Sequence, residues 1–202
     1  GGDRIIVRAS EWVDGTANIK ISASRSSAIV FVNGPVHSAE EEATRGGFAF
    51  IAGTGVVPVL GTQALFVKLD NPSTSNANIF LMRRLFGGNR TANDAVLEYQ
   101  AYTNPTMVLS NVVPPGNRRG GDANASEAIW SWQAAAIDAI TIGGAQGSGG
   151  FVPHLGIQEV RDVEFILPPG QSLGFVVTGV GSNLGQAARL SVTLEWYEEP
   201  IF

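Results

Sequence analysis

Cysteine is absent from this chain of 202 residues, and histidine occurs only as His37 and His154. Without cysteine the chain has no disulfide bridge, no cysteine-based zinc site and no thiol nucleophile. His37 lies near the acidic residues 40–42, but the spacing matches no standard metal-binding motif, and a solvated helix start is the simpler interpretation. Stability must therefore come from packing or from association with other chains.

Charged residues are also scarce, at 15% of the chain, where soluble domains average roughly 25%. Such a surface is either rich in small polar residues or covered by neighbouring molecules. The net charge is −5 and no basic patch is interleaved with aromatic residues, so we expect no nucleic-acid partner. Arg83-Arg84 and Arg118-Arg119 are candidates for subunit contacts, because guanidinium groups favour planar carboxylate partners. Ordinary solvated arginines are the alternative.

One uncharged apolar stretch, residues 46–67, has about the length of a membrane span. It contains Pro58 and several glycines, which would break a helix and leave its backbone unsatisfied in lipid. The stretch therefore predicts two strands joined by turns, and we expect no membrane partner. The first ten residues are partly charged and lack an apolar core, so we expect no secretory signal there.

Short alternating stretches, separated by glycine, proline and asparagine, dominate the sequence after residue 46. The predicted strands cover residues 48–51, 56–60, 64–69, 79–86, 95–102, 106–110, 163–167 and 173–178. In the last strand Leu190, Val192, Leu194 and Trp196 face the core, and the residues between them face outward. Many short strands at regular spacing predict an all-β protein, an antiparallel β-sandwich of jelly-roll type.

The first 45 residues differ from the rest. They predict short strands and one short helix, in which Ser38 and Glu41 form a capping box and Gly46-Gly47 ends the last turn. We therefore predict an extended N-terminal arm over residues 1–45 and a jelly-roll domain over residues 46–202.

Three later stretches are harder to assign. Residues 127–140 contain alanines that favour a helix, with Asn124 as its cap, but Ile129, Trp130 and Trp132 favour the strand that we predict. The glycine-rich residues 143–150 are predicted to form a flexible loop. Residues 114–126 form a polar loop of unusual length, which we expect to lie at a contact between copies.

No stretch of the sequence carries a complete catalytic or metal-binding motif. Residues 170–174 match the Gly-x-Ser-x-Gly nucleophile elbow, but a strand follows instead of a helix, and no histidine follows at all. Asp122, Asn124 and Ser126 resemble the start of a calcium loop, but Glu127 stands where that loop needs glycine. A calcium ion in another geometry stays an alternative. We expect a non-enzymatic protein without a cofactor.

Several short motifs resemble a diffuse family of tailed-bacteriophage virion proteins. They are, in chain order, Gly61-Thr62 before a strand, Asn71-Pro72-Ser73, Asn104-Pro105-Thr106, Pro168-Pro169-Gly170 in a hairpin, and Glu195-Trp196-Tyr197-Glu198 in the closing strand. Each motif alone is common, and their order and spacing carry the resemblance, which covers about two thirds of the chain.

The resemblance implies a jelly-roll fold and a structural role on the exterior of a phage capsid. The first hypothesis is a head decoration protein that binds copies of itself, as a homotrimer, and the major capsid protein. The arm would anchor the protein by adding a strand to an exposed sheet edge. The candidate contact residues are Ile5, Ile6, Val7, Arg83, Arg84, Arg118, Arg119, Trp130 and Trp132.

Two alternatives stay open. A tail or fibre module that binds host glycan would need exposed aromatic rings, and the rings outside the predicted core are Trp12, Tyr99, Tyr102, Trp130 and Trp132. An extracellular filament subunit would assemble by strand donation, with residues 5–7 as the donated strand.

Overall fold

The computed structural model describes residues 19–22, 29–32, 38–90, 96–120, 124–152, 155–180 and 188–201. The chain divides into two units, Gly1–Ser38 and Ala39–Phe202. In the first unit β1 (Ile19–Ser22) and β2 (Ile29–Val32) pair as an antiparallel hairpin.

The second unit is almost entirely β-structure. Its elements are α1 (Ala39–Gly46), β3 (Ala49–Gly53), β4 (Val57–Val59), β5 (Gln63–Asp70), β6 (Ala77–Arg90), β7 (Val96–Thr103), β8 (Asn111–Val113), β9 (Gly116–Asn117), β10 (Ile129–Ala136), a 3-10 turn (Ile137–Ala139), β11 (Ala145–Val152), β12 (Leu155–Leu167), β13 (Ser172–Val180) and β14 (Ala188–Pro200). The predicted all-β sandwich class is confirmed.

The strands form two antiparallel sheets. Sheet I has the order β12-β6-β14-β3-β9, with β4 also paired to β14, and sheet II has the order β11-β7-β13-β5-β10-β8. The chain crosses between the sheets from β5 to β6 and back to β7, and again at every step from β11 to β14. The stretch between β7 and β11, residues 104–144, is called the insertion below, and it supplies β8, β9 and β10.

Aromatic side chains fill the space between the sheets. Phe86 of sheet I stacks on Tyr99 of sheet II with ring centres 4.2 Å apart, and it meets Phe175 edge-on at 5.5 Å. Trp196 has no exposed surface, so the predicted inward face of the last strand is confirmed. Burial of a large apolar side chain contributes about 1.5–3 kcal/mol, which makes this layer the main source of stability.

A second apolar cluster lies on the outer face of sheet II. Residues 105–109, called the strap, cross this face so that Met107 and Leu109 pack against Phe66 and Val176. The sequence predicted a strand over residues 106–110, and that prediction is wrong because the strap has no ladder partner among the described residues. Its side chains alternate as in a strand, but they pack flat on the sheet.

Gly174 makes room for the strap. A Cβ atom at this position would overlap Met107 Cε and would lie 2.8 Å from Pro105 Cγ. Since real Cβ atoms essentially never approach that closely, a side chain at residue 174 would force Met107 and Pro105 of the strap to shift.

The glycine-rich residues 143–150 were predicted as a loop, but most of them form the edge strand β11, which pairs with β7. Side chains from β7 occupy the space that side chains at the glycines of β11 would fill. Gln100 Nε2 donates to the Gly147 carbonyl at 2.7 Å, and a Cβ at Gly150 would lie 2.9 Å from the Tyr99 ring. Glycine carries no apolar side chain to alternate, so the sequence pattern gave no strand signal here.

The two remaining local predictions are confirmed. Of the strand predicted over residues 127–140, residues 129–136 form one and residues 137–139 form the 3-10 turn, and α1 ends at Gly46 as expected. Gly47 has φ +76°, and the amide of Phe48 donates to the Ala43 carbonyl at 2.8 Å, which is typical of a glycine-terminated helix. Because α1 packs on β3 and β14, it belongs to the second unit rather than to the arm where we had placed it.

Candidate functional site

Three of the motifs that carry the family resemblance meet at one end of the sandwich. The Asn71 amide donates to the Gln171 carbonyl at 2.9 Å, and the Gly170 amide donates to the Asn71 carbonyl at 2.8 Å. Asn104, at φ +50°, exchanges bonds with Ser172 through its own amide at 2.8 Å and its side-chain oxygen at 2.9 Å. These turns therefore form one hydrogen-bonded unit, called the motif end below.

The Asn71 side chain anchors the motif end to the sheets. Its Nδ2 donates to the carbonyls of Ala77 and Leu167, both at 2.8 Å. The residue is buried, and its Oδ1 has no partner among the described residues. The neighbouring surface is a shallow open depression lined by Asp70, Asn71, Pro72, Ser73, Ile129, Gly170 and Gln171.

A charged cluster joins the insertion to the outer face of sheet I. Glu195 of β14 is almost fully buried and accepts from Arg83 Nε at 2.8 Å and Nη2 at 2.6 Å. Arg118 of the insertion lies 3.4 Å from the same carboxylate and donates to Glu40 of α1 at 2.8 Å. The cluster thus links four separate elements of the chain.

Glu198, also almost fully buried, holds a second part of the insertion. Its carboxylate accepts from the Ser126 hydroxyl at 2.5 Å, from the Glu127 amide at 3.1 Å and from the Ala128 amide at 3.4 Å. Trp196 Nε1 donates to it at 3.2 Å. These hydrogen-bond donors replace the water molecules that the carboxylate loses when it is buried.

The described parts of the long loop, residues 114–120 and 124–126, dock on their own chain. Asn117 Nδ2 donates to the Gly47 carbonyl at 2.7 Å, and the Arg118 amide donates to the Ala49 carbonyl at 2.9 Å. Asn124 Nδ2 reaches the Gly47 carbonyl at 3.3 Å. These contacts occupy groups that we had assigned to a neighbouring copy.

The four candidate arginines differ in their surroundings. Arg83 and Arg118 form the internal ion pairs just described. Their role as subunit contacts stays a prediction. Arg84 is half-buried with its guanidinium 5.4 Å from the Phe175 ring centre. Arg119 is exposed, and its amide donates to Asn117 Oδ1 at 2.9 Å.

The aromatic candidates lie mainly inside the protein. Trp130 is completely buried, so its prediction as a contact residue or glycan platform is wrong. Tyr99 is buried, and Trp132 is half-buried against the same core. Tyr102 packs half-buried on the strap cluster. Each of these rings was needed to fill space between or above the sheets, which the sequence pattern alone does not reveal.

Several other predicted residues lie outside the described part of the chain. They are Ile5, Ile6, Val7, Trp12, His37, Asp122 and His154. The anchoring arm and the donated strand over residues 5–7 therefore stay predictions.

The weak catalytic and calcium motifs have structural roles. Ser172 of the elbow-like sequence begins strand β13 and is buried. Ser126 of the calcium-like sequence uses its hydroxyl on Glu198. Among the described residues, no three acidic or histidine side chains lie close enough to hold a metal ion.

Sequence reasoning missed the two buried glutamates. Glu195 was placed on the outward face, which is correct, but its burial depends on α1 and the insertion, which fold over it from distant parts of the sequence. The only local signal was the three acids near the end of β14, Glu195, Glu198 and Glu199, and residue type does not show that two of them are buried.

The outer face of sheet I also carries an aromatic pair. Phe80 and Tyr197 stack with ring centres 4.8 Å apart. Burial first, and the nearby charge of Glu199 second, raise the pKa of the Tyr197 phenol above its ordinary value of 10.0.

Comparison with known proteins returned no match: no family model, no curated protein and no solved structure is similar to this chain. Within the described residues, no helix is both long and apolar enough to span a membrane.

Proposed function

We propose that this chain is a bacteriophage virion structural protein, a decoration protein that binds the exterior of the assembled head. It acts without a cofactor and without catalysing a reaction. Its partners are copies of itself, with a homotrimer as the expected assembly, and the major capsid protein.

The strand order supports a jelly roll as the finer description of the sandwich. When β4 and the insertion strands β8, β9 and β10 are set aside, sheet I has the order β12-β6-β14-β3 and sheet II has the order β11-β7-β13-β5. Two four-stranded sheets with the chain crossing repeatedly between them are typical of jelly rolls, which are common in viral capsid proteins.

The motif end is the observation that carries the proposal. The resemblance to phage virion proteins rests on short motifs that are weak when taken singly. Two of the turns, at Asn71 and at Gly170, lie far apart in sequence but bond directly to each other, and Asn104 joins them through Ser172. Motifs that act together as one structural unit support a shared framework better than scattered matches do.

The proposed mechanism is stabilisation by mass action. A protein that binds the assembled shell, and not its dissociated subunits, shifts the equilibrium against disassembly. Such a protein needs a self-supporting domain, and the two internal clusters around Glu195 and Glu198 help to provide one.

A heat-release assay tests this function. Phage heads are prepared with and without the protein, and purified full-length chain is added back to the depleted heads. We expect depleted heads to release DNA at a lower temperature and added protein to restore the original release temperature. Equal release temperatures in all three samples would contradict the stabilising role.

A further inference from the structure

An exposed aliphatic group lies at one edge of sheet II. Val112 is 63% exposed and Ile129 44%, whereas Val113, which is 39% exposed, lies on the opposite side of the sheet. Val108, on the outward side of the strap, is 87% exposed. Val112 pairs with Ser131 of β10, so Ile129, two residues before Ser131, lies on the same side of the sheet. Contiguous exposed apolar side chains mark interaction surfaces.

This edge lacks the charged side chains that commonly protect an edge strand from pairing. β8 is the last strand of sheet II, and β10 is its neighbour on one side. Residues 105–117 contain no charged side chain, although natural edge strands commonly carry one. Pro114 and Pro115 follow β8 and lack the backbone donor, so pairing at this edge is limited to a short ladder.

We propose that β8 joins two copies of this chain about a two-fold axis at Val112. The inference rests on the self-association in the proposed function and adds a second contact, which joins single copies or whole trimers in pairs, because a two-fold contact by itself does not build the expected homotrimer. In an antiparallel pair centred on Val112, this side chain faces the same residue of the other copy, and Asn111 faces the partner's Val113. A two-fold contact needs such a self-complementary surface.

Charge favours a second copy as the occupant. Each chain carries a net charge of −5, so most surfaces of two copies repel each other. A contact through the uncharged stretch 105–117 brings no like charges together. Lys68 and Asp70, on the strand beyond β10, neutralise each other at 2.9 Å. Opposed β-branched side chains add favourable cross-strand contacts.

Charge variants of the full chain give the first test, by analytical ultracentrifugation. We expect wild type to form a dimer or a larger even-numbered assembly. Val112→Lys places two like charges at the axis and should weaken association by about tenfold or more. Val56→Lys is the matched control, because Val56 is 69% exposed at a different site. Its effect should stay below about twofold.

A cysteine variant gives the second test. The chain has no cysteine, so Val112→Cys introduces a single thiol. Directly opposed side chains on paired strands lie within or close to disulfide range, so Val112→Cys should form a linked dimer about tenfold faster than Val56→Cys does. Val113→Cys points to the other side of the sheet and should link slowly.

Several results would overturn the proposal: a wild type that is monomeric at all concentrations, equal effects of the two lysine variants, or equal linking of the cysteine variants. A monomeric wild type whose binding to heads requires Val112 would identify the shell as the occupant instead. The head assay tests the proposed function separately. A protein that dimerises but does not bind heads would support this contact and contradict that function.

Discussion

The two halves of the insertion hold opposite faces of the sandwich by different forces. The strap covers sheet II through apolar packing, with Met107 and Leu109 buried against the strands. The later half is held through polar contacts, with Arg118 on Glu195 at the outer face of sheet I and the segment at Ser126 on Glu198, which lies on the same side of β14 as Trp196. One connection between two neighbouring strands thus closes both outer faces.

Because the forces differ, we expect different substitutions to destabilise each half. Apolar packing depends on shape, so the strap is sensitive to added volume beneath it. Buried carboxylates depend on their donors, and deletion of one partner leaves the others desolvated without compensation. The following variants test this distinction by urea unfolding of the full chain.

The largest effect is expected from Glu198→Ala. It leaves Trp196 Nε1 and the amides of Glu127 and Ala128 without their acceptor, and we expect a loss of about 3 kcal/mol in unfolding free energy. The neighbouring Glu199 is exposed, so Glu199→Ala should change stability by less than about 0.5 kcal/mol. Equal effects of the two variants would contradict a stabilising role for the hydrogen bonds to Glu198.

A smaller loss is expected from Gly174→Ala, which adds a methyl group under the strap. We expect about 2 kcal/mol of destabilisation, because Met107 and Pro105 must move. Gly116→Ala is the control, since a Cβ there would lie 3.7 Å from its nearest neighbour. If Gly174→Ala proved as stable as Gly116→Ala, the strap would not be packed as described.

Arg118→Ala should cost about 1 kcal/mol, because the pairs that it breaks with Glu40 and Glu195 are partly exposed to solvent. The cost should shrink in high salt, which screens exposed charges, whereas the cost of Gly174→Ala should not. A salt-independent loss for Arg118→Ala would contradict the electrostatic character of this half.

The smallest effect concerns pH. Since the pKa of Tyr197 is raised in the folded protein, the folded state holds this proton more tightly than the unfolded state. The resulting stability is fully present below pH 10 and is lost as pH rises through the higher folded pKa. Tyr197→Phe should therefore flatten the decline of stability above pH 10. An unchanged decline in that variant would assign it to other groups.

Local patterns predicted what local geometry determines. The alternation of Leu190, Val192, Leu194 and Trp196 identified the inward face, because side-chain direction in a strand has a period of two. The end of α1 followed from Gly47, whose left-handed conformation terminates a helix. Both predictions needed only neighbouring residues.

Predictions failed where distant segments decide the outcome. The strap alternates like a strand, but only the sheet beneath it shows that it packs flat. Strand β11 has glycine at three of its eight positions, and its β7 neighbour supplies side chains that contact them. The burial of Glu195 and Trp130 is likewise set by elements far away in sequence, so residue type alone misplaced Trp130 at the surface.

Electron microscopy of labelled particles tests the central claim most directly. Antibody fragments raised against this chain are bound to intact phage particles, and the label positions are averaged over many images. We expect regularly spaced label on the outside of the head. Label confined to the tail, or particles without any label, would contradict it.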